Sequence, residues 1–197
     1  KGISNVRYLA KGHRGLLFTG FYHSKKISIK TKNPQSKAIG RINNETKWLK
    51  KLNKCNIGPR LIFIDDDYFV YDFIDGDFII DYIKKSNKNY IKKIIKNIFN
   101  QLFLLDKLKI DKEEMHHPIK HIIVNKNKPY IIDFERVHFS QNPKNVTQFC
   151  QFLISGYLNK LLKNKGININ KNNLIQLAKI YKNNQSSKNF KKIIEAR

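Results

Sequence analysis

Apolar residues in the first third of the chain come in short runs broken by Gly, Ser and Lys. VRYLA (6–10), LLFTGFY (16–22) and KISIK (26–30) combine β-branched and aromatic residues with turn formers between them, so three short strands are predicted. A polar stretch from Ala38 to Leu52 reads as a helix. LIFI (61–64) and YFVYDFI (68–74) flank Asp65-Asp66-Asp67, the chemistry of a hairpin turn. From Tyr90 the period becomes helical: Ile91, Ile94, Ile95, Ile98, Leu102 and Leu105 share one face, with lysines on the wet side. HIIVNKNKPYIIDFE (121–135) returns to strand chemistry, two strands around Asn125 to Lys128. Val146, Phe149, Cys150, Leu153, Ile154, Tyr157, Leu158, Leu161 and Leu162 then form one clean stripe, with Asn145 a candidate cap. Further helices are predicted from about Leu174 to Tyr181 and from Phe190.

This order predicts an α+β fold: an N-terminal antiparallel sheet with one helix over 1–71, a connecting hinge over 72–76, and a mainly helical C-terminal lobe over 77–197. No run of about 18 apolar residues and no signal-peptide pattern occurs, so no membrane association is expected. Cys55 and Cys150 lie far apart without metal-type spacing, which suits a reducing, cytoplasmic location, and Cys150 on the stripe reads as core filler. Charge changes the picture. The chain carries 39 Lys plus Arg against 15 Asp plus Glu, a net of +24. Seven of the acids fall between Asp65 and Asp81, whereas residues 140–197 hold eleven basic side chains and one acid, Glu195. Such an excess implies a polyanionic partner, nucleic acid before a membrane surface, and no obligate protein partner is evident.

Strands with one helix, then helices with a late hairpin, is also the order of a protein-kinase-like fold, and particular residues fill its functional places. Gly12 and Gly15, in LAKGHRGLLFTG, sit where backbone N–H groups approach phosphate oxygens. Lys30 ends the strand ISIK, the place of the lysine that holds the α- and β-phosphates of ATP. Glu45 is the only acid between Lys1 and Arg60 and lies on the following helix, so a Lys30–Glu45 ion pair is expected. YFVYDFIDG resembles the segment joining the two lobes. With Tyr71 as gatekeeper, the Asp72 carbonyl and the Ile74 N–H would meet adenine. Asp133, at the end of a strand in IIDFE, would hold Mg²⁺, with Glu135 in place of the usual glycine.

The pattern covers nearly the whole chain, and its compact form resembles the RIO and Bud32 group of atypical kinases. More narrowly, KGHRG, MHHPIKHIIV, IIDFERV and PKNVTQF resemble the archaeal RIO-like family that includes a tRNA kinase. The resemblance implies transfer of the ATP γ-phosphate to the 2′-hydroxyl of a variable-loop uridine in tRNA, an activity associated with thermostability of the folded RNA. A serine/threonine protein kinase and a non-catalytic, nucleotide-gated RNA-binding pseudokinase are the alternatives.

The catalytic loop departs from the kinase pattern. His116 stands where the aspartate base is usual, His121 where a metal-binding asparagine is usual, and Glu114 where a histidine is usual. Phosphoryl transfer has a loose transition state in which alignment and charge neutralisation outweigh strong proton abstraction. Lys30, Lys120 and one Mg²⁺ on Asp133 would supply the charge. A histidine, with its ordinary pKa of about 6.5, can accept the hydroxyl proton. His116 is the first candidate and His117 the second, with His121 orienting Asp133 or touching a phosphate. A zinc site and a purely structural loop are competing readings of the same histidines. The segment after Asp133 is short for a peptide-docking loop and includes Arg136 and Lys144, candidate RNA contacts along with His13 and Arg14 of the glycine loop.

Overall fold

The computed structural model describes residues 2–12, 15–33 and 41–196, except for the side chains of residues 41 and 42. The chain forms two compact units, Lys1–Asp75 with Tyr130–Arg136, and Gly76–Pro129 with Val137–Arg197. The fold class is α+β.

The first unit is built on five antiparallel strands, β1 (Ile3–Lys11), β2 (Gly15–Tyr22), β3 (Lys25–Lys32), β4 (Leu61–Ile64) and β5 (Tyr68–Asp72), in the order β1-β2-β3-β5-β4, with α1 (Arg41–Asn53) between β3 and β4. His23 and Ser24 both adopt positive φ, the two-residue turn whose twist suits a tight β2–β3 hairpin. Alternation along β3 decides what faces what. Ile27 and Ile29 join Val70 in a buried cluster with Phe18, Tyr22 and Phe63 on one face of the sheet. The intervening Ser28 and Lys30 therefore take the other face, where they pair in register with Tyr71 and Phe69. Phe69 and Tyr71 stack there with centroids 5.4 Å apart. The predicted helix start at Ala38 lies outside the described residues. Trp48, Leu49 and Leu52 of α1 are buried, and so are its polar Glu45 and Thr46. Asn53 shapes the return to β4: its carboxamide donates to the carbonyls of Ile57 and Pro59 and accepts from the Leu61 N–H.

In the second unit β6 (Asp77–Phe78) leads into α2 (Ile79–Lys85) and α3 (Lys88–Lys107), followed by β7 (Ile110–Asp111), a 3₁₀ turn (Pro118–Lys120), β8 (Ile122–Asn125), β9 (Lys128–Ile131), which passes into the first unit at Tyr130, and β10 (His138–Phe139). Sheet order is β6-β8-β9, and β7 pairs with β10. Lys126 and Asn127 turn the β8–β9 hairpin with positive φ at both positions. Gly76 runs so close to the Val124 carbonyl that no side chain fits there. The C-terminal helices are α4 (Asn145–Ile154), α5 (Gly156–Asn164), α6 (Lys171–Asn183) and α7 (Ser187–Glu195). Asn87, Asn170 and Ser186 cap α3, α6 and α7.

Three local expectations change. The long stripe is two helices, because Ser155 adopts an extended conformation (φ −58°, ψ 144°) between α4 and α5 while the apolar spacing continues across it. Asn145 is not a cap. It is wholly buried, donates to Asp106 Oδ1 (2.7 Å) and the Ile110 carbonyl (2.6 Å), and accepts from the Lys112 N–H (2.8 Å). Finally, α2 was not expected, and it buries Ile79, Ile80, Tyr82 and Ile83. Among the described residues no helix is long and apolar enough to cross a membrane.

Candidate functional site

Three segments of the first unit bring one lysine and three carboxylates together. The Lys30 ammonium, from β3, lies 2.6 Å from Glu45 Oε2 of α1, 2.9 Å from Glu135 Oε1 and 3.3 Å from Asp133 Oδ1. The three acids each offer an oxygen within 4.8 Å of the others. Their exposures differ usefully: the Glu45 side chain is 5% accessible, Glu135 16% and Asp133 38%. The expected Lys30–Glu45 pair is thus present, and Glu135 is a partner that sequence reasoning missed, having been read only as a substitute for glycine.

The backbone around these groups is held from several sides. Asp133 has φ +63°, the left-handed region that a non-glycine residue enters rarely and that turns the chain at the end of β9. Phe134 then donates its N–H to Glu45 Oε1 (3.3 Å), and Asn44 Nδ2 donates to the Glu135 carbonyl (2.9 Å). The Phe134 ring is buried against Gly58, which has φ +81°. A Cβ there would lie 2.8 Å from the ring and 2.9 Å from Leu49 Cδ1. Gly15 gives room to the lysine itself, since a Cβ at that position would meet Lys30 Cε at 3.2 Å and the Thr31 carbonyl at 3.0 Å.

Burial alone would depress the Lys30 pKa, but the summed attraction of Glu45, Asp133 and Glu135 outweighs it and holds the ammonium well above the ordinary lysine range. Burial pushes Glu45 upward against the pull of Lys30, and Asp133 adds to the upward push. Burial likewise raises the Tyr71 phenol on the same sheet face. Hard carboxylate oxygens are the donor set that suits Mg²⁺. Glu45 is engaged closely by Lys30, so the more exposed Asp133 and Glu135 are the residues fitted to hold a divalent ion.

The other predicted residues fall in both units. In the first, the Gly12 N–H donates to the Gly15 carbonyl (2.8 Å) and so closes the turn. Asp72 donates its N–H to the Arg60 carbonyl (2.9 Å), and its carboxylate meets the Arg60 guanidinium at 3.1 and 3.3 Å. Ile74 is half-buried just beyond β5, and Arg136 is exposed after Glu135. His13 and Arg14 lie outside the described residues. In the second unit, His116, His117, Lys120 and Lys144 are exposed, whereas the His121 side chain is 18% accessible, with Nε2 3.5 Å from Glu114 Oε2. Glu113 and Glu114 have φ of +59° and +57° in succession. This uncommon backbone is pinned by Glu113 N–H on Asp111 Oδ1 (2.9 Å) and Met115 N–H on Gln148 Oε1 (2.9 Å). Cys55 and Cys150 are free thiols, and burial pushes Cys150 up to about 12, as inert core filler should be.

No protein-family model matches the chain. The uncharacterized protein MJ1211 of Methanocaldococcus jannaschii is 30% identical over 114 residues, an alignment that takes in 56% of this chain and 97% of that protein. The chain belongs to the family of that protein. Membership brings no activity with it, so the chemistry rests on the side chains described above.

Proposed function

We propose that the chain is an ATP-dependent phosphotransferase of the two-lobed, RIO-related kinase class and that its acceptor is a 2′-hydroxyl of tRNA. The observation that carries this reading is the meeting of Lys30, Glu45, Asp133 and Glu135 from three separate segments of the first unit. Phosphoryl transfer asks for a fixed cation beside the phosphates and a carboxylate that holds a metal. Lys30, kept protonated by its acids, meets the first need, and Asp133 on its turned backbone meets the second. Mg²⁺ would supply charge neutralisation at the phosphates when bound there. Gly15 and the turn it forms with Gly12 would border the phosphates, and the Asp72 and Ile74 backbone would meet adenine.

In the transfer itself the acceptor O–H bond breaks and its proton passes to an imidazole nitrogen. A bond forms from that oxygen to the γ-phosphorus, and the bond to the β-bridging oxygen breaks to release ADP. His116 and His117 are exposed where an acceptor can reach them, whereas His121 turns Nε2 to Glu114 and keeps Nδ1 buried, which suits a brace for the loop and not a general base. RNA is favoured as acceptor by the net charge of +24 and by the near-absence of acids in the last third of the chain. The variable-loop uridine is the acceptor that the RIO-like resemblance implies.

Mass spectrometry of nucleosides from unmodified tRNA incubated with the protein, ATP and Mg²⁺ tests the reading. A ribose-phosphorylated nucleoside is expected, and Asp133→Asn should abolish it. Unaltered nucleosides after long incubation would sink the proposal, and phosphorylated protein in their place would mark a serine/threonine kinase.

A further inference from the structure

The second unit carries an open groove of about 390 Å³ walled by one face of α4 and one face of α6. On α6, Ile175, Ala178, Lys179 and Lys182 fall at helical spacing and share that face. On α4, Gln148, Gln151 and Ile154 do the same. The floor is apolar, with buried Cys150 beside Ile154 and Ala178, and the rim is basic, with exposed Lys144, Lys179 and Lys182. No Asp or Glu among the described residues lines the groove. Among the described residues none of these three ammonium groups pairs with a carboxylate, in contrast to Lys84 and Lys85, which sit at 3.2 and 2.6 Å from Asp81 and Asp77. Three like charges around a shared hollow repel one another unless an anion lies between them.

The groove is also joined to the loop that carries the candidate histidines. Gln148 Oε1 accepts the Met115 N–H, which fastens that loop to the wall of α4, and the next residue, His116, lines the groove. The volume sits in the range of a small-ligand pocket, about 300–1,000 Å³, room for a single nucleotide. Single-stranded RNA is recognised in this way, by cations along the backbone and a surface under an unstacked base.

We propose that this groove binds a single-stranded loop segment of the RNA acceptor. Phosphates lie on Lys144, Lys179 and Lys182, one base rests on the Cys150–Ile154–Ala178 floor, and a ribose is presented to His116. The proposal rests on the reading of RNA as substrate and assigns that substrate a surface.

Fluorescence anisotropy of labelled tRNA, measured without ATP over a salt series, tests it. Lys179→Gln with Lys182→Gln removes two single-strand phosphate contacts. Affinity should fall about twentyfold in 0.1 M salt, and the slope of log affinity against log salt should shrink by about 1.4. Lys93→Gln with Lys96→Gln, two exposed lysines of α3, should change affinity less than twofold. Ala178→Leu, which fills the floor without altering charge or adding an aromatic face, should weaken binding at an unchanged slope. Wild-type affinity in the groove variants, an equal loss in the α3 pair, or equal displacement of tRNA by polyglutamate would overturn the proposal. Because no ATP is present, loss of binding in the groove variants upholds the groove even if no phosphate is transferred. Transfer with intact binding in those variants refutes the groove alone.

Discussion

The Glu135 carboxylate lies 2.9 Å from the Lys30 ammonium, nearer than Asp133 at 3.3 Å. A third acid on this lysine has a directional consequence for the proposed nucleotide site. With ATP bound as proposed, Glu135 would hold Lys30 in competition with a phosphate, and its own charge would repel that phosphate. At an effective dielectric of about 20, a charge pair near 4 Å interacts by roughly 4 kcal/mol, and partial exposure reduces this. Glu135→Gln is therefore expected to tighten metal-free ATP about tenfold and to weaken the gain in affinity from added Mg²⁺. Asp133→Asn should remove most of that gain and abolish transfer. Calorimetric titration with ATP, with and without Mg²⁺, reads both, and weaker metal-free binding in Glu135→Gln would contradict the competition.

Gly58 supports this arrangement from beneath. Its φ of +81° disfavours any side chain, and a Cβ would press on Phe134 and Leu49 at 2.8 and 2.9 Å. Gly58→Ala combines backbone strain with overpacking, so a loss of about 2 to 4 kcal/mol is expected in urea unfolding. Phe134 separates Asp133 from Glu135, and its displacement should also lower Mg²⁺ affinity in protein that remains folded. A variant with wild-type stability would show that the ring yields freely.

In the second unit Asp106 joins three helices. Its oxygens accept from the Asn145 N–H and carboxamide, the Val146 N–H and the Tyr181 hydroxyl, the last at 2.9 Å. Burial raises its pKa to about 7, against the opposing hydrogen bonds from Asn145 and Tyr181. In the unfolded chain an aspartate titrates near ~3.9. Between those values the folded state retains a proton that the unfolded state has released. The stabilisation is therefore full below about pH 4 and is lost as pH rises towards 7, by about 4 kcal/mol at most. Urea midpoints of the wild type should fall across that window relative to Asp106→Asn, which cannot ionise. A constant difference between the two proteins would refute the shift.

What was legible in the sequence followed from period and scarcity. Alternation along β3 separates Ile27 and Ile29 from Lys30, and a single acid in the first sixty residues points to Glu45 as the lysine's partner. The break at Ser155 was hidden because Ile154, Leu158 and Leu161 keep helical spacing through it. Helix α2 was hidden because seven residues, four of them buried, are too few to establish a period. Asn145 was misread because a polar residue before an apolar run looks like a cap, whereas its partners, Asp106 and Ile110, lie far back along the chain. Glu135 was missed for a similar reason, since its ion pair forms with a distant strand.

His121 and Glu114 supply the last test. Nε2 of the imidazole lies 3.5 Å from Glu114 Oε2, and Glu114 is held in a left-handed conformation whose neighbours Glu113 and Met115 are tied by their N–H groups. Glu114 touches neither nucleotide nor acceptor in this reading. It acts as a positioning residue that, through His121, braces the loop carrying His116. Glu114→Gln keeps an oxygen that can accept from the imidazole, and Glu114→Ala does not. Transfer to tRNA should therefore fall about ten- to a hundredfold in kcat for Glu114→Ala, with KM for ATP unchanged, and recover most of its rate in Glu114→Gln. His121→Gln should match the alanine variant. His116→Gln should lose transfer more completely than either, because it removes the proposed proton acceptor at the groove, and full transfer in His116→Gln would sink that role.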